Sequence, residues 1–499
     1  MLLLGIDLGT SSIKVTIVDA ATQAAIAAAQ YPETEADIIS AHPGWAEQSP
    51  DLWWENVKQA ILKCNATGLY DPMDIGAIGI AYQMHGLVLV DQQQHVLRNA
   101  IIWCDSRAVG IGNAAFEKIG NERCLARLLN SPGNFTAGKL AWVKEHEPAV
   151  YERIHKIMLP GDFISMKFTG ECNTTVSALS EGIFWDFTTH TLSADVLQYF
   201  GFSESMFPEI QPLFAPHGLL NVTTAARLSL KAGIPVSYKA GDQPNNALSL
   251  NVLHPGEVAA TAGTSGVIYG VSDQLRYDRQ SRINSFAHVN HRMPGNEDNR
   301  IGVLLCINGT GIFNRWIKNL AGASLSYQSL NEAAAEVPAG CEGLLALPFG
   351  NGAERMLGNA EIGAHFSNLN FTSHSVGHMV RAVQEGIAFS FRYGLDIMRD
   401  NGMQPAVIRA SRANMFLSDV FTRSFVNATG VAVEFYEGDG SFGAAIGAGI
   451  GASVYADAKE AAQNRKATGI VIPDATGQYE SLYRQWKKVL QDHLDQFNQ

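Results

Sequence analysis

The sequence predicts a duplicated α/β protein of two domains, and three observations predict it. A strand, a turn and a second strand at residues 2–15 carry Asp7-Leu8-Gly9-Thr10-Ser11, and the same shape returns at residues 258–269 with Gly263-Thr264-Ser265 in register. Each half mixes short apolar strand-like runs with amphipathic helical patterns. At 499 residues the chain exceeds one ordinary domain, and two are the default.

Taken in order, residues 2–31 read as a hairpin sheet. Residues 51–62 read as a helix with Ser49 as N-cap and Pro50 at its first position. A buried strand at 75–81 ends in Tyr82-Gln83-Met84-His85-Gly86, and residues 87–90 with 100–103 read as a hairpin closing on Cys104-Asp105-Ser106-Arg107. The stretch 110–230 is mostly helical in pattern. The second half is expected to begin with a strand near 236–240 running into Gly241-Asp242-Gln243, which sets the domains at residues 1–240 and 241–499. After the repeated hairpin come a helix at 376–398, a strand at 406–409, a helix at 415–429 and a strand at 431–435 leading to Gly438-Asp439-Gly440-Ser441. The small-residue run 442–452 is too short to span a bilayer and reads as a helix packed closely on a neighbour. An amphipathic helix at 480–490 lies near the end.

Composition narrows the class. Apolar content of 46% with 17% charged residues fits a well-buried soluble protein, and a net charge of −12 argues against nucleic acid or anionic membrane as partner. Six scattered cysteines without a Cys-x-x-C pair read as reduced buried thiols, and Asp7 interrupts the initial apolar run too early for a signal peptide. The expectation is a cytoplasmic, enzyme-sized protein.

The two turns carry the chemistry. Each offers backbone N–H groups and hydroxyls, which suit phosphate oxygens. Aligning Gly9 with Gly263 sets Asp7 opposite Thr261, so only the first turn brings a carboxylate able to hold magnesium beside phosphates. The pair implies a nucleotide clamped between related domains.

An ordered set of segments resembles the FGGY family of carbohydrate kinases over nearly the whole chain. It comprises Gly5-Ile6-Asp7-Leu8-Gly9-Thr10-Ser11, His42-Pro43-Gly44-Trp45-Ala46-Glu47-Gln48, Tyr82-Gln83-Met84-His85-Gly86 and Trp103-Cys104-Asp105-Ser106-Arg107. It continues through Leu159-Pro160-Gly161-Asp162-Phe163, Gly241-Asp242-Gln243, Gly263-Thr264-Ser265-Gly266, Leu347-Pro348-Phe349-Gly350-Asn351-Gly352-Ala353-Glu354-Arg355 and Glu385-Gly386-Ile387-Ala388. The resemblance implies two ribonuclease H-like domains of the actin, heat-shock chaperone and sugar-kinase ATPase fold, with the active site in the cleft between them.

It also implies roles. Asp242 matches the acid that takes the acceptor's proton in phosphoryl transfer, although an aspartate in such a turn also commonly caps a helix. Asp7 with Asp242 would contact Mg2+. ATP would meet Gly9, Thr10, Ser11 and Lys14 from one half, and Gly263, Thr264, Ser265 and Gly266 from the other. Gly311, Arg315, Ala410, Ser411 and Asn414 would enclose the adenosine, with Ser411 standing in a turn that is glycine-rich in the family. Gln83, Met84, His85, Trp103, Asp105 and Asp242 would meet the sugar, and Arg107 is either a lining residue or a structural ion-pair partner. The Gln-Met-His-Gly segment is similar to family members acting on xylulose, so D-xylulose is the expected acceptor. Kinases of ribulose, gluconate or glycerol, and a weakened sugar or nucleotide sensor, are the alternatives. The family often forms homodimers, but no interface is legible in the sequence.

Overall fold

A computed structural model describes residues 1–322, 324–463 and 465–497, and the side chain of Glu354 lies outside the described residues. The first sheet is built from β1 (Leu2–Leu8), β2 (Ile13–Asp19), β3 (Ala25–Tyr31), β4 (Ile75–Tyr82) and β5 (Val236–Gly241), in the order β5-β4-β1-β2-β3. β1 and β2 form the expected hairpin, with Asp7 opposite Lys14 and Leu8 opposite Ile13. Period-2 alternation divides β1 between two faces. Leu2, Leu4, Ile6 and Leu8 pack with Trp53, Val57 and Ile61 of α1 (Pro50–Asn65). That helix starts as expected, with Ser49 Oγ accepting from Leu52 N at 3.3 Å.

Two helices on the first half matter for the site: α2 (Thr136–His146) and α3 (Val176–Glu181). α4 (Asp242–Ser249) leaves β5 directly.

The second sheet contains β6 (Glu257–Ala262), β7 (Gly266–Ser272), β8 (Asn284–Ala287), β9 (Ile301–Ile307), β10 (Val407–Ala410), β11 (Val433–Phe435) and β12 (Gly469–Val471). Its order, β8-β9-β7-β6-β10-β11-β12, repeats the first sheet's plan. In both, an antiparallel hairpin is flanked by an antiparallel strand on one side and two parallel strands on the other. The duplication read from the turns is thus a duplication of topology. The helices of this half are α5 (Gly311–Ala321), α6 (Tyr327–Ala335), α7 (Val376–Asp400), α8 (Asp419–Thr429), α9 (Gly440–Gly451) and α10 (Thr476–Phe497).

Three readings need correction. The strand near 236–240 does not open the second sheet; as β5 it completes the first, parallel to β4. Residues 87–90 and 100–103 are not a mutual hairpin. Val88–Val90 pairs with Lys156–Met158, Ala100–Ile101 pairs with Glu47–Gln48, and a single Leu87–Ile101 bridge joins them. The thiols are not uniformly buried: Cys104 is exposed, while Cys64, Cys124 and Cys341 are buried.

The small-residue helix α9 follows β11 of the second sheet yet packs on the first, with Ala444 and Ala448 against Leu3 and Tyr238. The approach is close enough that a Cβ on Gly5 or Gly79 would overlap the carbonyl oxygen of Ser441 or Ala444. Side chains cannot fit there, which is why the facing positions are glycines. α4 and α9 lie together between the sheets, and Asn245 Nδ2 donates to the Gly440 carbonyl at 2.8 Å. No helix among the described residues is long and apolar enough to cross a membrane.

Candidate active site

Strand register assembles the site. Parallel pairing sets Asp7 beside Ala81 and Leu8 beside Tyr82 on β4, and Tyr82 beside Gly241 on β5. The carboxyl ends of β1, β4 and β5 therefore lie at one end of the sheet. The segments that continue from them, Gly9–Ser12, Gln83–His85 and Asp242, start from that end. Odd-numbered residues of β1 face α9, so the Asp7 carboxylate lies against the start of that helix, where a Cβ on Gly440 would overlap it.

Asp7 and Asp242 are both half-buried. Burial, then the Asp439 charge, pushes Asp7 up to about 6, with Lys14 opposing. Burial, then the Asp7 charge, pushes Asp242 up to about 7 against hydrogen bonds from Gln243. Two carboxyls whose proton affinity is raised by burial and neighbouring carboxylates form a site a divalent cation would relieve, so the residues fit Mg2+. Asp439, whose charge raises Asp7, is an unforeseen neighbour. Its Oδ1 caps α9, accepting from Phe442 N at 3.0 Å and Ser441 Oγ at 2.8 Å.

His85 occupies left-handed backbone, φ 62°. Its carbonyl accepts from Lys139 Nζ at 2.9 Å and Thr136 Oγ1 at 3.2 Å on α2, and its N–H donates to Glu181 Oε2 at 3.3 Å on α3. The ring Nδ1 lies 3.0 Å from the Glu181 carbonyl, which can only accept, so Nδ1 carries the hydrogen and Nε2 is the acceptor. Burial, Lys139 and Arg355 hold the imidazole down to about 3, so it is neutral. Phe135 and Phe286 flank the ring at 4.8 and 5.3 Å. Arg355 reaches over Phe135 from the second half and donates to Ser131 Oγ at 2.9 Å. Met84 packs against Gly241 and is buried.

Sequence reasoning missed Glu181 and Lys139. Both are buried; burial and the Asp242 charge hold the Glu181 carboxyl well above the usual range, and burial brings the Lys139 ammonium down to about 7 against the pull of Asp105. Nothing local in Ser-Glu-Gly or Gly-Lys-Leu marks them, because their neighbours come from other elements.

Some expected contacts fall elsewhere. Asp105 is fully buried and its oxygens are engaged by Ala46 N at 2.6 Å and by Arg107 Nε and Nη2 at 2.9 and 2.7 Å. Arg107 also pairs with Glu47 at 2.7 Å and lies 3.8 Å from the Trp45 ring centroid. Asp105 is thus enclosed in a buried ion pair with Arg107. Gln83 is likewise buried, accepting from Thr10 Oγ1 at 3.2 Å and donating to Gln48 Oε1 at 3.1 Å. Thr10 Oγ1 also accepts from the indole of the exposed Trp103 at 2.9 Å, tying the first turn to that segment. Ser11 and Lys14 are exposed and Gly9 is half-buried.

On the second half, a cavity of about 390 Å3 is lined by Gly263, Thr264, Gly311, Arg315 and Asn414 of the expected nucleotide set, together with Tyr327 and Asn331. α5 is docked on the turn, its Gly311 and Ile312 N–H groups donating to the Gly263 and Thr264 carbonyls at 2.8 and 3.1 Å. Ser265 is exposed at the turn tip. Gly266, Ala410 and Ser411 do not line the cavity: Gly266 opens β7 against Thr310 and Phe391, Ala410 is buried, and Ser411 Oγ donates to the Gly438 carbonyl at 3.1 Å. The positive φ of this turn falls on Asn414, 52°, and not on Ser411. Asparagine tolerates that region, so the glycine-poor turn forms without a glycine.

Residues 2–249 match the N-terminal domain, and residues 258–452 the C-terminal domain, of the FGGY family of carbohydrate kinases. Xylulose kinase of Escherichia coli strain K12 is 29% identical over 447 residues, 89% of this chain and 88% of that protein. The crystal structure of xylulose kinase from Rhodospirillum rubrum superposes with a TM-score of 0.88 at 26% identity, covering 100% of both chains. Gluconate kinase from Lactobacillus acidophilus also reaches 0.88, at 21% identity over 100% of this chain and 99% of that one, a likeness of fold alone. The fold is that of the actin, heat-shock chaperone and sugar-kinase ATPases, and the chain belongs to the FGGY family of carbohydrate kinases.

Proposed function

We propose that this carbohydrate kinase transfers the γ-phosphoryl group of ATP to the terminal hydroxyl of D-xylulose, giving D-xylulose 5-phosphate. The observation that carries the reading is the strand register that gathers Asp7, Asp242 and the Met84–His85 segment at one end of one sheet.

Asp242 takes the proton of the acceptor hydroxyl. Its affinity for protons, tuned by burial and Asp7 to about 7, suits a base that works near neutrality. His85 offers Nε2 to a sugar hydroxyl and Met84 an apolar wall to the carbon face. The N–H groups of the Gly9 and Gly263 turns face the phosphates, and the cavity between Gly311 and Asn414 takes the nucleoside. Asp7 and Asp242 would hold Mg2+, which supplies charge neutralisation for the phosphoryl oxygens. The neutral state of His85 matters here, because a second cation beside Asp242 would lower the basicity the reaction needs.

The test is coupled ADP release with magnesium and ATP against D-xylulose, L-xylulose, D-ribulose, L-ribulose, glycerol, gluconate and no sugar, with Asp242→Ala as control. Turnover on D-xylulose that vanishes in the variant is the expected result. Turnover on another acceptor keeps the mechanism and moves the sugar assignment, and silence with ATP still bound favours a sensor.

A further inference from the structure

Asn331 lies on α6 in the wall of the cavity that also holds Gly263 and Asn414. Its Oδ1 accepts from Gln384 Nε2 at 2.8 Å, and Gln384 Oε1 accepts from Ser418 Oγ at 2.8 Å. Gln384, on α7, is fully buried, and Ser418 is nearly so.

The relay runs from its far end toward the cavity. Ser418 caps α8, its oxygen accepting from Phe421 N at 3.3 Å. That leaves its proton free to donate, and Gln384 Oε1 accepts it at 2.8 Å. A glutamine that accepts through Oε1 can offer only Nε2 to its other neighbour, and Asn331 answers with Oδ1. The edge that Asn331 turns to the cavity is therefore Nδ2, a pair of N–H donors.

We propose that Asn331 is a specificity-determining residue of the nucleotide site, donating to an acceptor nitrogen or carbonyl oxygen on the nucleobase, with Gln384 and Ser418 holding it in that orientation. Met415 and Ile312 give the same cavity apolar wall, and the half-exposed Tyr327 ring stands at its rim. The proposal rests on reading this cavity as the nucleoside site.

Isothermal titration of ATP, and separately of inorganic tripolyphosphate, into the full-length protein without sugar tests it. Asn331→Asp keeps an oxygen for Gln384 and loses the donor, so its ATP affinity falls about tenfold while tripolyphosphate binds as before. Asn331→Ala behaves likewise, and Gln384→Met, which frees the amide to rotate, loses about threefold. In steady-state assays with the acceptor sugar, the KM for ATP rises and that for the sugar holds. Equal ATP affinity in Asn331→Asp and the unsubstituted protein overturns the proposal, as does an equal loss for tripolyphosphate. If ATP binds and the variants weaken it but no sugar is phosphorylated, the inference stands and the acceptor assignment falls. If the unsubstituted protein binds no nucleoside triphosphate, both fall.

Discussion

The Tyr82 hydroxyl donates to Glu181 Oε1 at 2.7 Å, joining the end of a first-sheet strand to the last residue of a helix 99 positions away. The other oxygen of Glu181 holds the His85 N–H at 3.3 Å, so one buried carboxyl anchors the segment placed against the sugar.

Burial and the Asp242 charge push the Glu181 carboxyl well above its ordinary range, and its work is to accept the Tyr82 and His85 hydrogen bonds, which a neutral group can also do. Glu181→Gln retains near-normal activity and thermal stability. Glu181→Ala strands the Tyr82 hydroxyl and His85 N–H and lowers stability by about 1–3 kcal/mol, with a raised sugar KM and an unaltered ATP KM. Equal damage in both variants would show that the charged carboxylate matters.

Asp7 and Asp242 make the protein's stability depend on pH in a stated direction. A carboxyl raised in the folded state stabilises fully below its ordinary value, about 4, and loses that contribution as pH rises through its folded value. The window ends near pH 6 for Asp7 and near pH 7 for Asp242. Asp242→Asn is therefore expected to melt higher than the unsubstituted protein at pH 8 and to lose the difference by pH 4, while its kcat falls by about 10²–10⁴. Thermal melts across that range, beside kcat, check it.

Magnesium is expected to stabilise the protein more at pH 8 than at pH 5, because protonated carboxyls must release their protons before they can bind it. Differential scanning fluorimetry with and without magnesium chloride reads the effect. An undiminished shift in Asp7→Asn would place the ion elsewhere.

Lys139 supports the His85 carbonyl, and Lys139→Met removes that support from a buried oxygen. The expected result is a sugar KM raised about tenfold with nucleotide affinity intact, since Thr136 retains one bond to the same carbonyl. Equal loss of ATP and sugar binding would mean that the fold, not the histidine, has failed.

Gly79→Ala places a methyl group where the Ala444 carbonyl lies. α9 must shift, carrying Gly440 away from the Asp7 carboxylate on β1. We expect a loss of activity larger than the loss of stability, seen by comparing kcat with the urea midpoint.

The sequence by itself determined the duplication, the two turns, the acidic residue unique to the first, the α1 cap and the family. These are local: a turn needs its glycine, a cap its hydroxyl, a strand its alternation, and each is written in adjacent residues. The small-residue run was also legible as a close-packing helix, because only glycine and alanine allow such approach. Which sheet it approaches was not. β5 and α9 change partners between the halves, and no periodicity records which edge a parallel strand joins. Asp105 and Gln83 look like ligands in sequence because buried and ligand-facing polar residues share the same chemistry; only packing put Arg107 and Gln48 against them. Glu181, Lys139, Asp439 and Asn331 were silent for the converse reason. Their roles come from the low dielectric and the hydrogen-bond partners that distant segments bring, and those exist only once the chain has folded.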